Sequence, residues 1–122
     1  MRSREMRVVI SKTAETIQVT IFIAGDFNDA KRVCRKFCAE GLCVTVEPLT
    51  FVYTGGAEDG VRVGLINYPR FPATAAALIA TAERLGDALR EGLCQSSYSI
   101  VGPSGTIFKS WREADASPGA KI

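Results

Sequence analysis

The chain of 122 residues contains no histidine. That absence removes the commonest general base, the commonest metal ligand and the side chain that most often changes charge near neutral pH. Also missing is an unbroken apolar run of the roughly 20 residues a helix needs to span a bilayer. The opening stretch, residues 1–10, is basic but has neither an apolar signal core nor a small-residue cleavage site, so a cytoplasmic protein without a membrane is expected. Its four cysteines are then expected to stay reduced. Neither sign of charge prevails: fifteen Lys and Arg stand against thirteen Asp and Glu, a net charge of +2. So even a balance argues against a dedicated nucleic-acid binder or a membrane-surface protein. No catalytic or cofactor signature stands out, and no cofactor is expected.

What is present suits one folded domain. A hydrophobic fraction of 47% and a charged fraction of 23% are ordinary for a globular chain. Residues 16–112 read as a single α+β domain, residues 1–15 as an arm or edge strand, and residues 113–122 as a disordered tail. Within the domain, Ile17, Val19, Ile21 and Ile23 alternate with other residues at the strand period of two. Asp26 then offers a helix N-cap, and Ala30, Val33, Cys34, Phe37 and Cys38 recur at helical spacing before Gly41.

Residues 42–53 read as the next strand, where Pro48 predicts an edge position or a bulge and leaves the facing of Leu49, Phe51 and Tyr53 open. The run T-G-G-A-E-D-G, residues 54–60, reads as a turn leading to a strand from Val61 to Tyr68. In that strand Val63 and Leu65 face the core and Gly64 and Ile66 face away. A long helix follows from Ala73 or Thr74 to Leu93, with Leu78, Ala82, Leu85, Leu89 and Leu93 as its core stripe and Gly86 marking close packing. Short strands at 96–101 and 106–111 flank the turn signal G-P-S-G. The order strand, helix, strand, strand, helix, strand resembles the ferredoxin-like βαββαβ plait. That resemblance implies two helices on one face of a mainly antiparallel sheet, here with an extra strand at each end. The wording of residues 51–72 is also similar to small uncharacterised bacterial or bacteriophage proteins.

Four groups of residues carry candidate chemistry. Cys34, Cys38, Cys43 and Cys94 lack the tight pair spacing of zinc sites, so burial rather than a metal is expected of them. The glycines of residues 54–60 link two strands instead of opening a helix, which favours a hairpin over a phosphate cradle, with Glu58 and Asp59 solvated at its tip. Lys31, Arg32, Arg35 and Lys36 read as the wet face of a helix, with nucleic-acid binding as a lesser option. Finally, N-Y-P-R-F-P sets Arg70 between two prolines, each preceded by an aromatic residue where a cis peptide is conceivable.

Tyr53, Tyr68, Arg70 and Phe71 are therefore the expected binding residues for a partner or an anion. Phe22, Phe51 and Ile66 are expected on a sheet face too apolar to stand open, which suggests self-association as a homodimer. The leading expectation is a non-catalytic interaction domain that dimerises and presents residues 51–72 to a protein partner. The alternative is a small-molecule enzyme or ligand sensor with a pocket around Arg70, drawing on Tyr53, Tyr68 and Glu47. RNA or DNA binding through the sheet or the basic helix comes third.

Overall fold

A computed structural model gives the structure of residues 7–117. Its centre is β1 (Gln18–Ala24), where the period-two pattern sorts the side chains: Val19, Ile21 and Ile23 are buried, and Gln18, Thr20, Phe22 and Ala24 point to the other face. Asp26 caps α1 (Phe27–Phe37), its Oδ2 accepting from the Asp29 N–H at 3.0 Å. The apolar stripe of α1 turns Ala30 and Cys34 fully inward. A short 3₁₀ turn, Cys38–Glu40, ends at Gly41, whose φ of 104° is the left-handed conformation that favours glycine.

β2 (Thr45–Tyr53) and β3 (Gly56–Ile66) form a hairpin closed by only two residues, Thr54 and Gly55. Gly55, at φ 84°, supplies the positive φ that such a turn requires. Thr74 caps α2 (Ala75–Gly92) through a bond from the Ala77 N–H at 3.1 Å. β4 (Ser97–Gly102) and β5 (Gly105–Ser110) complete the order.

The sheet runs β2-β3-β1-β4-β5 with every pairing antiparallel. Each helix is thus a crossover that skips one strand, and both lie on the same face. This is the ferredoxin-like plait with one added strand at its C-terminal end. The predicted stripe of α2 packs as expected: Leu78, Ala82, Leu85, Leu89 and Leu93 join Val61, Val63, Leu65 and Ile100 in the core. Each fully buried aliphatic side chain there stabilises the fold by about 1.5–3 kcal/mol relative to exposure. Gly86 marks close packing, because a Cβ at that position would stand 2.4 Å from Cε1 of the Tyr98 ring.

Several local expectations are corrected. Residues 7–11 form no edge strand, and Val8, Val9 and Ile10 stand exposed. Asn67 instead ties the end of this arm to the domain, donating to the Glu15 carbonyl and accepting from the Ala73 N–H. Pro48 does sit on an edge strand, but without a bulge: the pairs Glu47–Arg62, Pro48–Val61 and Leu49–Gly60 run on unbroken. β3 also begins at Gly56, well before Val61, so Glu58 and Asp59 are strand residues and not a tip. Glu113–Ala116 form a 3₁₀ turn where a disordered tail is expected. The expectations for residues 1–6 and 118–122 lie outside the described residues.

Candidate functional site

The face of the sheet away from the helices carries the candidate site. Register sets its residues: Phe22 lies beside Arg62 and Ser99, Ser99 beside Phe108, and Phe51 beside Glu58. A cleft of about 260 Å³ is lined by Phe22, Phe51, Tyr53, Glu58, Phe108 and Arg112, with Ser97, Ser99 and Gln95 between them. Its walls come from β2 and β5, the two edges of the sheet. Opposite edges can share one cleft only if this face is concave.

Two glycines let the rings lie close to the sheet. A Cβ on Gly60 would meet Phe51 Cε2 at 2.3 Å, and one on Gly56 would meet Tyr53 Cε1 at 3.0 Å. Glycine thus appears in β3 where its strand propensity is poor because side chains from β2 occupy the space.

Polar groups stand around this aromatic bed. Arg112 follows β5 and is held from three sides: Nε donates to Asp115 Oδ2 at 2.8 Å, Nη1 to Ser96 Oγ at 3.1 Å, and Nη2 to Ser97 Oγ at 3.2 Å. A guanidinium has five N–H donors, so two remain for a ligand. Ser110 Oγ donates to Asp115 as well, and its bond and that of Arg112 hold the Asp115 carboxyl below its usual range. Glu58 has no ion pair among the described residues, whereas Glu47 on the same face is bound by Arg62 Nε at 2.9 Å. The free acidic charge in the cleft is therefore that of Glu58.

Beneath the cleft, Tyr98 anchors β4 to α2. Its hydroxyl donates to Asp87 Oδ1 at 2.6 Å and lies 3.2 Å from the Glu83 carbonyl. Burial, followed by the bond to Asp87 and the Asp87 and Glu83 charges, drives the phenol pKa upward. Tyr98 also packs against Trp111, with ring centroids 6.1 Å apart, and Arg90 lies 4.0 Å over the Trp111 ring. This packing fixes the residue next to Arg112.

Of the residues singled out from sequence, Tyr53, Phe22 and Phe51 come together here. Ile66 shares the face but lies at its far end, beside Gln18. Tyr68, Arg70 and Phe71 lie elsewhere, in a tight turn where the Phe71 N–H donates to the Tyr68 carbonyl at 2.8 Å. Arg70 rests 5.2 Å over the ring of Phe71 and does not line the cleft, so a pocket around Arg70 is replaced by one around Phe22 and Phe51. Both X–Pro bonds in that turn are trans. The Tyr68 hydroxyl donates to Cys43 Sγ at 3.5 Å, the leading cause of its raised pKa.

No group of three or more His, Cys, Asp or Glu among the described residues is arranged to hold a metal. Nor, among those residues, is any helix long and apolar enough to cross a membrane. Glu58, Ser97, Ser99, Phe108 and Arg112 were not foreseen as site residues. Alternation in T-I-F-K-S after the G-P-S-G turn does separate Phe108 from Ile107 and is the one local signal for them.

No family model matches the chain, and no curated protein sequence matches it. Two solved structures share its fold. One is a phage SAM lyase in complex with S-methyl-5′-thioadenosine, at TM-score 0.65 and 16% identity, covering 88% of this chain and 100% of that one. The other is a phage SAM lyase in the apo state, at TM-score 0.66 and 16% identity, covering 87% and 100% respectively. These matches correct the expectation of a non-catalytic interaction domain. The fold, matched over the whole of each neighbour, is one that phage SAM lyases also have.

Proposed function

We propose that this protein is a small-molecule lyase of phage type that binds S-adenosylmethionine in the open-face cleft and releases S-methyl-5′-thioadenosine. The observation that carries this is the composition of the cleft: Phe22, Phe51, Tyr53 and Phe108 form an aromatic bed, with an unpaired carboxylate at Glu58 and a fixed guanidinium at Arg112. A purine stacks on aromatic faces, and a sulfonium is attracted both to such faces and to a carboxylate. Arg112 suits the carboxylate of the amino-acid end.

The chemistry also fits a chain without histidine. The bond between the sulfonium and the amino-acid side chain breaks, and its electron pair stays on sulfur as a neutral thioether. The four-carbon fragment is completed without water, through attack by its own carboxylate oxygen on the carbon released or through loss of the adjacent proton to a base such as Glu58. In the first route the attacking negative charge and the sulfonium positive charge cancel. Such a charge-consuming step is favoured where aromatic rings displace water from the reacting charges, as on the bed of Phe22 and Phe51.

Residues of the open face also serve self-association in this proposal: a second copy in a homodimer covers Ile66 and the rim of Phe108, which is 55% exposed. Light scattering at micromolar concentration is expected to show the dimer, and a monomer would remove that part. The setting proposed is the cytoplasm. The binding test is calorimetry with S-methyl-5′-thioadenosine: saturable 1:1 binding is expected, weakened roughly tenfold or more in Phe108→Ala, on the scale of losing one aromatic stacking partner. Unchanged affinity in Phe108→Ala and Phe22→Ala would place the nucleoside elsewhere and overturn the assignment.

A further inference from the structure

A larger cleft lies on the opposite side of the sheet, between α1 and the start of β2. It has a volume of about 710 Å³, within the range of small-molecule sites. Its rim carries Lys31, Arg32 and Arg35, its floor Cys34, Leu42 and Val46. Among the described residues, no carboxylate lines it. Sequence periodicity assigns these cations to the wet side of a helix; the fold instead sets three of them along the edge of one hollow.

Their pairing differs. Arg32 is tied to Asp29, and Lys31 lies 4.7 Å over the Phe27 ring. Arg35 has no ion pair among the described residues. The thiols do not neutralise the rim: burial and then the nearby Cys38 push Cys34 up to about 11, while burial and then Cys43 raise Cys38. At neutral pH both are uncharged, and the floor is apolar under a positive rim.

From this charge complementarity we infer a second binding site, independent of the lyase proposal, for a small amphipathic anion: an aliphatic body seated on Cys34, Leu42 and Val46, and an anionic head held by Arg35 and Lys31. No aromatic ring among the described residues lines the cleft, so a stacked nucleotide base is not its preferred occupant. Carboxylate and phosphate heads share the required chemistry, and bidentate contact with Arg35 suits either.

The test is a fluorescence titration of the intact chain with 8-anilinonaphthalene-1-sulfonate, with laurate and dodecyl phosphate as competitors. Saturable one-site enhancement is expected, reversed by one or both competitors; which of them competes more strongly identifies the head group. The double charge reversal Lys31→Glu, Arg35→Glu should weaken the probe roughly tenfold or more, since two attractions become repulsions. Near-UV circular dichroism establishes that this variant is folded, and the milder Arg35→Gln serves if it is not. Phe108→Ala, on the other face, should leave the affinity unchanged.

Retained affinity in the folded charge variants would overturn the inference, as would complete displacement of the probe by S-methyl-5′-thioadenosine. Failure of both competitors would do the same. Displacement by a short single-stranded oligonucleotide with a steep salt dependence would overturn it in favour of nucleic acid.

Discussion

Replacing Gly86 by alanine tests how tightly the sheet is held against α2. The new methyl carbon would stand 2.4, 2.6 and 2.9 Å from Cε1, Cζ and Cδ1 of Tyr98. These are ring atoms of a side chain only 2% exposed, and its hydroxyl is tethered to Asp87 and Glu83 of the same helix. The ring cannot swing away without breaking those bonds, so the helix must lift from the sheet. Overpacking of this kind costs about 1–3 kcal/mol. Disturbing the bond to Asp87 adds about 1.5–3 kcal/mol if it is lost outright.

Against this, alanine gains about 1 kcal/mol over glycine in a helix interior. The net expectation is a loss of about 2 kcal/mol, or a Tm lower by roughly 6–10 °C for a chain of this size. Thermal unfolding by circular dichroism measures it. In a Tyr98→Leu background the same substitution should instead stabilise by up to about 1 kcal/mol, a coupling that a double-mutant cycle isolates. If Gly86→Ala raises the Tm, or costs the same with and without Tyr98, the steric argument is wrong.

Other outcomes follow from the same geometry. Because burial and Asp87 raise the Tyr98 pKa in the fold, its contribution to stability is complete below the ordinary tyrosine pKa of about 10 and falls as pH rises beyond it. Absorbance at 295 nm should therefore show Tyr98 ionising only with unfolding, and free titration of all three tyrosines near pH 10 in the folded protein would contradict that. Arg112→Gln should weaken S-adenosylmethionine by roughly tenfold while leaving S-methyl-5′-thioadenosine, which lacks the carboxylate, nearly unaffected. Equal losses for both would remove Arg112 from carboxylate recognition. Gly60→Val drives a side chain into the place of the Phe51 ring and should abolish nucleoside binding by calorimetry; full binding would show that this ring is not part of the bed.

The elements with a single periodic signal were legible from sequence. β1 alternates without interruption, and α2 repeats leucine and alanine at helical steps, so both give their buried faces directly. Capping by Asp26 and Thr74 was equally local. The β2–β3 hairpin was harder to read, because glycine-rich residues 54–60 look like a turn when taken alone. Gly56 and Gly60 belong to a strand and are explained only by the Tyr53 and Phe51 rings lying across them, a fact of pairing between strands.

Three of the four rings of the aromatic bed, Phe22, Phe51 and Tyr53, were visible from sequence. The rest of the cleft was not, since Glu58, Phe108 and Arg112 meet these rings only through the order β2-β3-β1-β4-β5 and the concavity of its face. The stiff turn at Arg70 drew attention because its signal is local. Its Tyr68 and Phe71 pair with each other across the turn.

The decisive measurement is direct turnover. Purified protein incubated with S-adenosylmethionine should release S-methyl-5′-thioadenosine, resolved by liquid chromatography, without added cofactor. Glu58→Gln and Phe22→Ala should each lower the rate at least tenfold while the near-UV circular dichroism stays that of the folded protein. A folded wild-type chain that leaves S-adenosylmethionine intact beyond its spontaneous decay, and does not bind the thioadenosine product, would contradict the assignment of this cleft as a sulfonium lyase site.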